Sequence, residues 1–361
     1  PPERPVTHEL VDHLRRQITA PADDAERAAA ARSAAARWAT RAKPPGSLGR
    51  LEDVAVRIAG ITGTCPPAVP AQPAVVVFAG DHGVVADGAS AWPSEITGAM
   101  VRAMAAGGAA INAFAAQAGA SVTVVDVGVS SDLRDLHALG RADVLDHRVR
   151  AGTDSIASGP AMSRADALAA LAVGAAVAGA HVDAGADLLV GGDMGIGNTT
   201  ASVALIACLT GQDPEPLVGP GAGLPADGLG HKQRLVRTAV DRARDLDDPV
   251  DVLADVGGLE IAALAGLHLA AAARRVPTIV DGVIGGAALC VAEAIAPGTA
   301  AHVVGGHRST EPAATAALAH LALEPLLALD LRLGEGTGAC LAIPLVQAAC
   351  RALRDLADLP D

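Results

Sequence analysis

The chain has 361 residues, 51% hydrophobic and 19% charged, with 40 acidic residues against 27 basic ones and a net charge of −13. This is too apolar for a disordered chain and ample for a large core, and the negative charge argues against nucleic acid as a partner. The only aromatic residues are Trp38, Phe78, Trp92 and Phe114, so base-stacking platforms are excluded as well.

In chain order, Pro1–Ala20 carries charges and no apolar run of the signal-peptide kind. Residues 22–42 are Ala- and Arg-rich, with acids early and Arg37 and Arg41 late, and predict a helix that Pro44-Pro45-Gly46 stops. A second helix is expected from Ser47 to Ile61. From residue 73 a short apolar run, a glycine with a polar residue, and an alanine-rich helix recur. The runs are Ala74–Phe78, Val122–Val125, Leu188–Val190, Thr278–Val280 and His302–Val304. Unbroken rather than alternating apolar runs predict strands buried on both faces, and their alternation with helices predicts a parallel sheet. Ala167–Ala180 is too short an apolar run to span a bilayer and reads as a buried helix, so no membrane partner is expected. Residues 212–230 form a Pro/Gly-rich loop, too long for a simple connection. Helices are expected again at Pro312–Leu323 and Ala339–Leu356.

In open parallel sheets ligands bind beyond the carboxyl ends of the strands. Those ends carry Asp81, His82, Asp126, Asp193, Asp281 and His307. Each alone reads as a turn residue; the set points to a shared cleft. Gly191-Gly192-Asp193-Met194-Gly195-Ile196-Gly197-Asn198-Thr199-Thr200 joins a strand to the apolar helix Ala201–Leu209. It reads either as a glycine turn with Asn198, Thr199 or Thr200 capping the helix, or as a phosphate site at a helix start. It is neither a Walker loop nor a full dinucleotide fingerprint. Gly305-Gly306-His307-Arg308-Ser309-Thr310-Glu311-Pro312 repeats the pattern, with Ser309 or Thr310 as cap and Arg308 either an anion contact or a solvated charge. Leu333-Gly334-Glu335-Gly336-Thr337-Gly338 sets one acid among three glycines, as an ordinary turn or as a partly desolvated general base. Lys232 reads locally as a solvated lysine or as a phosphate neutraliser. The five cysteines show no C-x-x-C spacing and the histidines no tight ligand spacing, so no metal and no cofactor is called for, and free thiols fit a cytoplasmic location.

Taken together, Lys43-Pro44-Pro45-Gly46-Ser47-Leu48-Gly49-Arg50-Leu51-Glu52, Gly80-Asp81-His82-Gly83-Val84 with Pro93-Ser94-Glu95, and the three glycine motifs above resemble, in order, the nicotinate-nucleotide–dimethylbenzimidazole phosphoribosyltransferase family. The resemblance runs from about residue 40 to 350. It implies an α/β fold: a Rossmann-like parallel sheet flanked by helices, with a small helical domain from the chain ends (1–70 and 340–361) beside a large domain (71–339). It implies transfer of the 5-phosphoribosyl group from nicotinate mononucleotide to 5,6-dimethylbenzimidazole, giving α-ribazole 5′-phosphate and nicotinate for cobalamin lower-ligand assembly, by a homodimer. It puts the general base on Glu335, a second acid on Asp193 (usually Glu in the family) and the lysine on Lys232. Substrate contacts fall on Asp81, His82, Ser90, Trp92 (where Tyr is usual), Met194, Gly195, Gly197, Asn198, Thr199, Thr200, Arg308, Ser309 and Leu333. The alternatives are the same transfer to another base, such as adenine or a phenol, or a non-catalytic nucleotide-binding protein.

Overall fold

The structure, a computed structural model, describes residues 7–19, 21–141 and 143–359. Helices α1 (Thr7–Ile18), α2 (Pro21–Thr40) and α3 (Arg50–Thr62) come first. The third starts at Arg50 rather than Ser47, because Ser47 and Gly49 donate their N–H groups back to Pro44 and Gly46 in tight turns.

Strands and helices then alternate. First come β1 (Pro73–Gly80), α4 (Glu95–Ala105), α5 (Ala110–Ala118), β2 (Ser121–Gly128), α6 (Arg134–His137), β3 (Val144–Asp146) and α7 (Arg164–Asp183). Next are β4 (Leu188–Met194), α8 (Asn198–Thr210), α9 (Ala226–Ala243), α10 (Pro249–Val256) and α11 (Leu259–Ala273). Last are β5 (Thr278–Val280), α12 (Val283–Ile295), β6 (Val303–Gly305), α13 (Pro312–His320) and α14 (Thr337–Asp355). The loop expected at 212–230 is shorter, since α9 already begins at Ala226.

Among the described residues the sheet runs β3-β2-β1-β4-β5-β6, with every pair parallel. The order reverses between β1 and β4, which opens a crevice beyond their C-terminal ends. Successive side chains of β1 go to opposite faces. Ala74, Val76 and Phe78 join one core with residues of α7, α8, α11 and α12, while Val75, Val77 and Ala79 join the other with Ile58, Ile111 and Ile343. The molecule is therefore an α/β protein with helices on both faces of a Rossmann-like sheet. Helices α2, α3 and α14 share the second of these cores.

The apolar run at 167–180 lies inside the 20-residue α7, which by length and composition does suffice to cross a bilayer; here it packs backbone to backbone across α11. A Cβ on Gly174 would lie 1.7 Å from the Ala263 carbonyl oxygen, and one on Gly266 2.0 Å from that of Leu171.

Candidate active site

The crevice is built from backbone first. A Cβ on Gly195 would lie 2.3 Å from the Gly80 carbonyl oxygen, so the chains leaving β1 and β4 touch directly. Ile196 N–H donates to the Thr97 hydroxyl at 3.1 Å. Helix α8 then begins with Gly197 as its N-cap at φ 92° and no side-chain cap. The expected capping by Asn198, Thr199 or Thr200 is thus corrected. The Asn198 amide instead donates to Asp193 Oδ2 at 2.9 Å, and Thr200 is wholly buried.

Two adjoining hollows open here. One is lined by Asp193, Met194, Asp281, His307, Ser309, Glu311 and Leu333, among others, and the other by Ser90, Gly197, Pro220 and Lys232. Gly195, Ile196, Asn198, Thr199 and Ala222 belong to both. Trp92 lines neither; its indole N–H donates to the Ala222 carbonyl at 3.0 Å and ties the 90–95 stretch to the glycine-rich loop. A large open groove between α1, α7 and the chain leaving β3 holds none of the expected site residues.

Lys232 is not a solvated lysine. It is 1% exposed, and its ammonium donates to Thr199 Oγ1 at 2.9 Å and to the Gly219 carbonyl at 3.0 Å. Burial lowers its pKa to about 8, against the opposing effect of Glu311. Glu311 Oε1 accepts the Gly221 N–H at 2.9 Å, which docks the loop over Lys232. Glu311 is also the N-cap position of α13, with Pro312 next; Ser309 Oγ accepts the Glu311 N–H at 3.3 Å just outside that helix. The Arg308 side chain is exposed and lines neither hollow.

Beside this cation lies a cluster of acids. Glu335 adopts φ +61° between Gly334 at +85° and Gly336 at +83°, a left-handed conformation that a non-glycine residue adopts at a cost and that clusters at functional sites. Its N–H donates to the Asp193 carbonyl at 3.2 Å. Its Oε2 accepts the Ile111 N–H at 3.1 Å, in the first turn of α5, where the helix dipole favours an anion. Burial raises the Glu335 pKa, opposed by the Ile111 bond and reinforced by Asp281. Asp193 is pushed well above the ordinary carboxylate range, first by burial and then by the charges of Asp281, Glu260 and Glu335, with the Asn198 bond opposing. Asp281 Oδ1 accepts the Ala339 N–H at 2.8 Å and lies 3.2 Å from His307 Nδ1.

Two expected substrate contacts sit beneath the hollows rather than on their walls. Asp81 Oδ2 accepts the Ser130 N–H at 2.7 Å, joining the end of β1 to the chain leaving β2. His82 Nε2 lies 2.6 Å from Glu260 Oε1. Glu335 itself lines neither hollow, although its neighbours Leu333 and Gly334 do. Sequence reasoning missed Glu260 and Glu311. The signal for Glu260 was present: α11 is apolar all round, a pattern that marks a buried helix, so an acid in its first turn must be buried and needs a partner. Among the described residues one group has metal-ligand spacing, Asp126, His137 and Asp146. It lies at the β2–β3 edge, with Arg148 already 3.2 Å from Asp126.

A phosphoribosyltransferase family model matches residues 24–361. A protein of Salinispora tropica described as nicotinate-nucleotide–dimethylbenzimidazole phosphoribosyltransferase is 50% identical over 325 residues, covering 87% of this chain and 89% of its own. One of the same description from Desulforudis audaxviator is 46% identical over 354 residues, covering 97% and 98%. The crystal structure of CobT from Thermus thermophilus superposes with a TM-score of 0.87 at 45% identity, covering 91% of this chain and 97% of that one.

Proposed function

The chain belongs to the nicotinate-nucleotide–dimethylbenzimidazole phosphoribosyltransferase family, and we propose that its two hollows move the 5-phosphoribosyl group of nicotinate mononucleotide to 5,6-dimethylbenzimidazole. The observation that carries this reading is the juxtaposition of a buried cation with hydroxyls, Lys232 and Thr199, and a buried acid pair, Asp193 and Glu335, at one sheet edge.

The phosphate is held by Lys232, Thr199 and the start of α8, with Ser309 across the hollow. The ribosyl carbon lies toward the acids. Nicotinate departs from a quaternary pyridinium nitrogen and needs no proton, so no general acid is required. The incoming base attacks through a neutral imidazole nitrogen, and as the bond forms its other ring N–H becomes acidic. Glu335 takes that proton. Ile111 engages Oε2, which leaves Oε1 as the accepting atom. A general base of this kind contributes about 10²–10⁴-fold. Asp193 supports the oxocarbenium-like charge on the ribosyl carbon, and attack opposite the departing β-linked pyridine gives the α-linkage. Ser90, Met194 and Leu333 border the space for the base; Trp92 holds the loop that carries Ser90.

The test is release of nicotinate from nicotinate mononucleotide with and without a panel of bases. Release that depends on 5,6-dimethylbenzimidazole and yields an α-linked ribotide supports the reading. Release that prefers adenine or a phenol changes the acceptor, and no release with any base contradicts the transfer.

The family resemblance also supports a homodimer, and the five cysteines, all free, fit a cytoplasmic setting. A division of the chain near residues 70 and 340 into a small helical and a large α/β part is proposed on the same footing. Sedimentation velocity at micromolar concentration tests the dimer.

A further inference from the structure

We propose that the hollow containing Asp193 carries a second anion site, made by Arg332, His307 and the start of α12. It binds the carboxylate of the nicotinate leaving group and so selects nicotinate mononucleotide over nicotinamide mononucleotide. The proposal rests on the phosphoribosyl-transfer reading above.

Nicotinate mononucleotide carries an anion at each end, the phosphate and the ring carboxylate. Lys232 lines only one of the two hollows. The other, across the shared wall of Gly195, Ile196, Asn198 and Thr199, has a cation and a helix start of its own. The cation is Arg332, in the chain that leads into the Glu335 turn. Its Nη1 donates to the Gly221 carbonyl at 3.4 Å, on the loop that Glu311 docks, and among the described residues no carboxylate pairs with it. The helix start is that of α12, which begins behind Gly282 with no side-chain cap. Gly282, Val283 and Ile284 all line the hollow, so the uncapped N–H groups and the positive end of the helix dipole lie at its wall.

His307 completes this corner. It is 3% exposed and lines the same hollow. Its Nδ1 lies 3.2 Å from Asp281 Oδ1 but makes no hydrogen bond. A Cβ on Gly282 would lie 3.4 Å from His307 Cε1 and 3.8 Å from Nε2. The Nε2 edge of the ring therefore faces the start of α12, and the missing side chain at Gly282 leaves that edge open to the hollow. The acids in the same wall already accept hydrogen bonds from the protein: Asp193 from the Asn198 amide, Asp281 from the Ala339 N–H and Glu311 from the Gly221 N–H. The donors left for a ligand are the Arg332 guanidinium, His307 Nε2 and the first amides of α12. A carboxylate suits this set. Its two oxygens match the guanidinium fork, and an imidazole between Asp281 and a second carboxylate holds a proton on each nitrogen. A carboxamide in its place carries no charge and turns an NH₂ donor toward other donors.

The test compares kcat/KM for nicotinate and nicotinamide mononucleotides, with 5,6-dimethylbenzimidazole as acceptor and melting curves to confirm folding. The wild-type enzyme should prefer nicotinate mononucleotide by at least about tenfold. R332Q should lower kcat/KM for nicotinate mononucleotide by about 10–100-fold and for nicotinamide mononucleotide by less, drawing the ratio toward one. It should also weaken product inhibition by free nicotinate. H307Q should move the ratio in the same direction. Arg332 is exposed, so R332Q carries the test if H307Q fails to fold. K232M, which acts on the phosphate shared by both substrates, should lower both values by a similar factor and keep the ratio. A wild-type enzyme without preference, an R332Q enzyme that loses equally on both substrates, or a ratio that moves as far in K232M as in R332Q overturns the proposal. Absence of nicotinate release by the wild-type enzyme with any base sinks the underlying transfer reading instead.

Discussion

The two sides of the site are made in opposite ways. On one, a single lysine and a hydroxyl are pressed together by a loop that Glu311 docks. On the other, Asp193, Asp281, Glu260 and Glu335 crowd carboxylates into a dry space, where burial and then the neighbouring charges raise the affinity of Asp193 and Glu335 for protons. The first arrangement suits a permanent anion such as a phosphate. The second suits a charge that develops and a proton that moves. Substrate binding should therefore depend on the first side and turnover on the second.

The largest effect that tests this division is at Glu335. Glu335→Gln keeps shape and the Ile111 hydrogen bond but removes basicity. Turnover should fall by about 10²–10⁴-fold with KM for nicotinate mononucleotide little changed. Near-normal turnover would place the proton elsewhere.

Lys232 comes next. Lys232→Met should raise KM for nicotinate mononucleotide by roughly 10–100-fold, the value of a hydrogen bond to a charged group, with a smaller effect on kcat. Its pKa of about 8 adds a sign. The ammonium is charged below that value, so KM for the wild-type enzyme should be lowest below pH 8 and rise above it, and the Met variant should lose this dependence. Burial has lowered this pKa, so the unfolded chain holds the proton more tightly between about pH 8 and the ordinary lysine value. Stability contributed by this group therefore rises with pH across that window.

Asp193→Asn should cost turnover less than Glu335→Gln, because its role is electrostatic. It should also raise the melting temperature at pH 8. The pKa of Asp193 is raised on folding, so the folded state holds its proton longer and stability falls as pH rises from the unfolded to the folded pKa; asparagine carries no such loss. A variant more damaged than Glu335→Gln would exchange the two roles. The smallest expected effect is none: exhaustive chelation should leave activity unchanged, since the leaving group needs no Lewis acid. Activity lost and then restored by a divalent ion would revise the chemistry.

How much of this was legible in the sequence differs between the same two sides. The strands with unbroken apolar runs were readable because both faces of the sheet are buried. Strand β3 was not, since it is three residues long at the sheet edge. Strand ends placed Asp193 and Asp281 at the site, and the three glycines around Glu335 marked a turn there, but not that Glu335 itself would take the left-handed conformation. The lysine side was harder. Lys232 follows a polar, glycine-rich segment, and nothing local says that residues 219–221 fold back over it. Glu260 pairs with a histidine 178 residues away, and Glu311 docks a loop 90 residues away. Such contacts exist only once the sheet order brings the strand ends together. The capping expected at α8 failed for a related reason: the Asn198 amide is taken by Asp193 across the turn.

The most direct test of the division is calorimetric titration of nicotinate mononucleotide, without acceptor base, into Glu335→Gln and Lys232→Met at pH 7. Glu335→Gln should bind within about twofold of wild type and Lys232→Met at least about tenfold more weakly. Weak binding by Glu335→Gln together with wild-type affinity in Lys232→Met would contradict the assignment of the two sides.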